Sequence, residues 1–155
     1  MATVRQECVR IGTLIEGTLR GEDLLPAFAD ELKRLDPHHS LVKEAYEIMA
    51  TWGTGDESEE NEQISETVNA IQDALQEYCP PFVYFGTLEG DGACFGFWPD
   101  LMALEEERMY AKPSDADGYQ YLEDCNVWVQ VNDHGNVTLL ENDNGKPGRE
   151  IWAAV

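Results

Sequence analysis

Apolar positions recur at helical spacing through the first half of the chain. From Thr3 to about Leu19, Val4, Cys8, Ile11 and Ile15 follow one another at intervals of four, three and four, which predicts a first helix weakened by Gly12 and Gly17. Asp23 is placed to cap a second helix, with Pro26 tolerated in its first turn. Leu25, Phe28, Leu32 and Leu35 form its inner stripe until Asp36-Pro37 stops it. Ser40 is placed to cap a third, which turns Val42, Ala45, Ile48, Met49 and Trp52 inward and ends at Gly53. The fourth is the clearest: Ile64, Val68, Ile71, Leu75 and Tyr78 keep one face, and Pro80-Pro81 end the element because neither proline has an N–H to donate. Its other side carries Glu59, Glu62, Glu66, Asp73 and Glu77, and the acidic stretch from Gly53 to Glu60 reads as the linker before it.

After Pro81 the period changes to that of strands. Phe82–Thr87 and Ala93–Trp98 are aromatic-rich and joined by a glycine-bearing loop, which predicts a β-hairpin. Asp100–Met109 reads as a short helix, followed by a loose connection through Pro113–Gly118. Val127–Val131, Val137–Leu140 and Ile151–Val155 then read as three strands of an antiparallel meander. Helices first and strands afterwards is the α+β order. The expectation is one domain, 1–155, with a helical part at 1–79 and a sheet part at 80–155. The sheet is expected to be five-stranded and antiparallel, with helices packed on one face.

Charge changes the picture of partners. The chain has 155 residues, 31 Asp and Glu against 10 Lys and Arg, and a net charge of -21. Such a surface repels phosphate, so neither nucleic acid nor an anionic membrane is expected as a direct partner. With 43% hydrophobic residues the chain is too apolar for disorder. The N-terminus has no apolar signal core and no run is long enough for a membrane span, which predicts a cytoplasmic protein. Cys8, Cys79, Cys94 and Cys125 are far apart, which reads as reduced thiols.

No motif points to catalysis. Gly90-Asp-Gly92-Ala-Cys-Phe-Gly96 fails as a dinucleotide fingerprint because its third glycine is one residue late and a strand follows it. Asp115-Ala-Asp117-Gly118 and Asn142-Asp143-Asn144-Gly145 resemble calcium loops, but Pro113 and Leu140 stand where the first ligand belongs. Cys94, Cys125 and His134 lack a nucleophile motif, and pairs of carboxylates are too common here to signal acid–base chemistry. The expectation is a protein that is not an enzyme and has no metal and no cofactor.

The unusual feature is a run without a single Lys or Arg, from residue 44 to residue 107, that holds 16 acids. Acids three or four apart on a helix lie about 5–6 Å from one another, close to the phosphate spacing along a nucleic-acid strand. Asp56, Glu57, Glu59, Glu60, Glu62, Glu66, Asp73 and Glu77 are therefore candidate contacts for a basic, nucleic-acid-binding partner, with Asp100, Glu105 and Glu106 as a second group. Two other readings compete with mimicry: acidity that serves solubility alone, and an interaction module or homodimer built on exposed aromatics such as Trp98 or Trp152.

At Gly90-Asp-Gly-Ala-Cys-Phe-Gly-Phe-Trp98, Asn132-Asp-His-Gly-Asn-Val-Thr-Leu139 and Glu150-Ile-Trp152, the chain resembles small proteins encoded by phages and other mobile elements. The resemblance covers residues 80–155 and carries over no catalytic residue. It implies an anti-defence role of the anti-CRISPR or anti-restriction kind, with a CRISPR complex or restriction enzyme as target and the host cytoplasm as the place of action.

Overall fold

In a computed structural model, which describes residues 9–154, the elements run β1 (Gly12–Glu16), α1 (Gly21–Leu35), α2 (Ser40–Ala50), α3 (Glu57–Glu77), β2 (Val83–Leu88), β3 (Asp91–Pro99), α4 (Leu101–Tyr110), β4 (Tyr119–Leu122), β5 (Val127–Val131), β6 (Val137–Asp143) and β7 (Lys146–Ala154). The class is α+β. The chain divides into two compact units, Met1–Cys79 with Phe85–Phe97, and Pro80–Tyr84 with Trp98–Val155. The strands form two antiparallel sheets, β1-β3-β2 and β4-β5-β6-β7, where the sequence predicts a single five-stranded one. Two strands absent from that prediction, β1 and β4, raise the number from five to seven, β1 adding to the β2–β3 hairpin and β4 completing the meander.

In the first unit α1, α2 and α3 pack on one another through the stripes that the sequence marks. Leu25, Phe28, Leu32, Ile71 and Leu75 are fully buried. Phe28 meets the rings of Phe85 and Phe95 edge-on at 5.1 and 5.3 Å, which joins α1 to the hairpin. Among the described residues of the first predicted helix, none is helical. Val4 and Cys8 lie outside the described residues, and Gly12–Glu16 is strand β1, paired with Cys94–Phe97 of β3. Gly12 and Gly17 have φ of +132° and +80°, values that leave the right-handed helix, and Gly17 N–H donates to the Ala93 carbonyl.

Caps shift as well. α1 begins at Gly21 and not at Asp23. Thr18 Oγ accepts from the Arg20 N–H and donates to Asp23, so the threonine and not the aspartate organises the entry. His39 and not Ser40 caps α2, its Nδ1 accepting from Leu41 N–H at 3.1 Å. α3 starts at Glu57, so the last four residues of the predicted linker are already helical.

The second unit is built on the meander. Val127, Val129, Val137, Leu139 and Trp152 are buried along it, and Trp152 Nε1 donates to the Pro81 carbonyl at 2.9 Å. Asn144 and Gly145, with φ of 52° and 88°, form the two-residue turn between β6 and β7. Gln120 fastens α4 to β4. Its Oε1 accepts from Arg108 Nε at 2.9 Å, and its Nε2 donates to the carbonyls of Arg108 and Lys112 at 2.8 and 3.0 Å. Every polar atom of this buried amide is thereby used, which is how a Gln sits in a core without penalty.

Candidate partner-binding surface

α3 sorts its side chains by a helical period of 100° per residue. Ile64, Val68, Ile71 and Leu75 are buried on one side. On the other side Glu59, Glu62, Glu66, Asp73 and Glu77 fall within an arc of about 60° and extend over about 27 Å of axis. All five are exposed. The stripe has one gap, between Glu66 and Asp73, where Asn69 and Ala70 stand.

The other α3 candidates have local tasks or other directions. Asp56 caps the helix, accepting from Ser58 and Glu59 N–H at 2.9 and 3.3 Å. Glu60 is half-buried and accepts from Gly53 and Gly55 N–H, which folds the α2–α3 connection onto the first turn. Glu57 is exposed, but it lies off the stripe at the first helical residue. Acids in the first turn complement the positive end of the helix dipole, so Glu57, Glu59 and Glu60 favour the helix. That argument fails for Asp73 and Glu77, which face the negative end. No basic side chain occupies the last turn or any other position of α3.

The second group of candidates lies on α4, in the other unit. Asp100 is its N-cap and accepts from Ala103 N–H at 3.1 Å, Glu105 pairs with Arg108 at 2.6 Å, and Glu106 is exposed. Sequence reasoning missed the apolar side chains beside them: Met102 and Tyr110 are 81% and 87% exposed, and Leu101 and Met109 are exposed as well. Only Leu104 of α4 is buried, so Leu101, Met102, Met109 and Tyr110 stay on the surface, which a helical period alone does not mark.

Of the tryptophans named as interface candidates, Trp152 is buried, which removes it from any exposed patch, while Trp98 is half-buried. Cys79 and Cys125 are poor nucleophiles. Burial pushes Cys79 up to about 12. Burial, with the carboxylates of Glu107 and Asp124, raises Cys125. Cys94 is buried, its Sγ 3.5 Å from Thr13 Oγ. His134 lies exposed in the β5–β6 turn. Both calcium-like segments are turns held by their own side chains: Asp115 accepts from Asp117 and Tyr119 N–H, and Asn142 accepts from Gly145 N–H and Trp128 Nε1. Among the described residues no three His, Cys, Asp or Glu stand together as a metal site.

A hollow of about 500 Å³ opens between the end of α4 and the β4–β5 turn. Glu107, Tyr110, Ala111 and Lys112 supply one wall, and Tyr121, Leu122, Glu123 and Asp124 the other. Leu122 is buried beneath it, and the Tyr121 ring packs against Trp128 at 5.2 Å. The turn itself is fixed by Asn126, whose Oδ1 accepts from Tyr121 Oη at 2.7 Å and from Asn142 Nδ2 at 2.8 Å. No helix among the described residues is long and apolar enough to cross a membrane. No protein-family model, curated protein or solved structure matches the chain.

Proposed function

We propose that the protein is a non-enzymatic inhibitor that occupies the basic groove of a nucleic-acid-binding protein with the acidic stripe of α3. One observation carries this reading: Glu59, Glu62, Glu66, Asp73 and Glu77 share one exposed face of a helix that has no Lys or Arg. A groove that gains free energy by releasing counterions against phosphates gains it equally against fixed carboxylates, and the field of a highly acidic protein steers the encounter. The stripe persists to the C-terminal end of the helix, where it costs helix stability, so a role in folding does not account for it. The target class is a defence effector such as a CRISPR complex or a restriction enzyme, in line with the mobile-element resemblance of residues 80–155.

The test is competition with fluorescent duplex DNA for purified effectors of these classes. The protein displaces the duplex, and the logarithm of its affinity falls linearly with the logarithm of salt concentration. Glu59→Lys, Glu62→Lys and Glu66→Lys together abolish displacement while the circular dichroism spectrum is kept. Unchanged displacement by that variant overturns the assignment to α3.

A second reading is favoured by the exposed apolar residues of α4: an interaction module whose partner covers Leu101, Met102 and Met109. Binding of that kind is nearly independent of salt. Loss of binding on Met102→Ser and Met109→Ser, with the α3 variant unaffected, selects it.

A further inference from the structure

We propose that the hollow between α4 and the β4–β5 turn is a receptor for a guanidinium group, the side chain of an arginine presented by a partner protein. Its walls come from two elements that the sequence separates, and they meet because Gln120 binds the carbonyls of both Arg108 and Lys112. Glu107 reaches it from α4, and Glu123 and Asp124 from the turn. Against these three carboxylates the lining offers one cation, Lys112, which is exposed at the rim. Burial, with the carboxylates of Glu107 and Asp124, disfavours the thiolate of Cys125, a neighbour outside the lining.

Charge alone would suit any cation. The aromatic walls narrow the choice. Tyr110 and Tyr121 both line it, and Tyr121 is held by its hydroxyl on Asn126 and its ring on Trp128, so that ring is positioned before a ligand arrives. A guanidinium is planar, weakly hydrated, stacks on aromatic faces and presents a fork of donors to carboxylates. An ammonium is a strongly hydrated point charge that does none of this as well. The hollow, about 500 Å³, exceeds the needs of an isolated small cation and admits the aliphatic stem and flanking peptide of an arginine. A partner protein is the favoured source over free arginine, because the α-carboxylate of the free amino acid would enter a field of its own sign.

The test uses the full chain, labelled with ¹⁵N, titrated with N-acetyl-arginine amide, N-acetyl-lysine amide, N-acetyl-citrulline amide and free L-arginine. The arginine amide produces saturable shifts at the amides of Glu107, Tyr110, Glu123 and Asp124. Lysine amide and free arginine bind at least about tenfold more weakly, and the neutral citrulline isostere produces no shift. Glu123→Gln with Asp124→Asn, both on an exposed turn, removes the shifts while the remaining spectrum is unchanged. Glu59→Gln, Glu62→Gln and Glu66→Gln on α3 leave the titration as it was, so failure of this site and failure of the α3 reading are distinguished. Shifts spread over the acids of α3, or equal binding of lysine amide, would show a diffuse ion atmosphere and overturn the proposal. Equal or tighter binding of free arginine overturns the assignment to a partner protein.

Discussion

α3 and α4 are both acidic helices capped by an aspartate, yet they use their surfaces in opposite ways. α3 has 21 residues, enough turns to put all its large apolar side chains inside and to leave a clean carboxylate face outside. α4 has ten, buries Leu104 alone completely, and leaves methionine, leucine and tyrosine among its acids. The difference teaches that acidity by itself does not define a surface. On α3 the repulsion is left standing, whereas on α4 Glu105 is answered by Arg108 three residues on.

The largest effects test whether each helix is held by its buried stripe. Ile71→Ala on α3 and Leu104→Ala on α4 both remove fully buried methyl groups. Each is expected to cost about 2–5 kcal/mol, measured by urea unfolding. The caps come next. Asp56→Ala removes an acceptor for two N–H groups and Asp100→Ala an acceptor for one, so each lowers stability by about 1 kcal/mol, the first more than the second.

High pH then separates the end of α3 from the rest of the molecule. Burial, with the hydrogen bond from its hydroxyl to Asp36, holds Tyr78 up to about 12, and burial holds its neighbour Cys79 at about 12. A folded state that keeps a proton the unfolded chain has lost is penalised as pH rises. Stability is therefore complete below about pH 9 and falls between there and about pH 12. Tyr46, raised chiefly by its hydrogen bond to Asp30, adds to the same fall. Tyr78→Phe with Cys79→Ala flattens the alkaline limb measured by thermal melts across this range.

The smallest effect is the most discriminating. Glu62→Gln with Glu66→Gln removes a like-charge pair and stabilises the protein by about 0.3 kcal/mol at low salt, while Glu105→Gln removes an attractive pair and destabilises it by a similar amount. One kind of substitution thus has opposite signs on the two helices, and both signs fade in high salt. Equal signs would mean that the α3 stripe is neutralised by groups elsewhere.

Beyond its first turn, which read as linker, α3 was legible from its inner Ile64, Val68, Ile71 and Leu75 to its outer acids, because a single period sorts both faces and Pro80-Pro81 marks the end. β1 was not. Ile11 and Ile15 stand four apart, as on a helix, and only the glycines beside them hint at strand. What decides the matter is a ladder to β3 some 80 residues later, which includes Glu16 opposite Cys94. Propensity within a window carries no information about such a partner. The division into two sheets was hidden for the same reason: which strands pair is decided between segments of the chain and not by the period within each.

The sequence by itself determined the α+β class, the inner stripes of α1, α2 and α3 apart from small shifts at their ends, the base-free run and the single face on which the α3 acids stand. These follow from local periodicity, which the chain carries within a few turns. Only the tertiary structure decided that Gly12–Glu16 is a strand, that Trp152 is buried, that Met102 and Met109 lie on the surface of α4, and that Glu107, Glu123 and Asp124 line one hollow. Each of these depends on which distant segment comes to lie alongside, a choice made by packing and by buried hydrogen bonds such as those of Gln120.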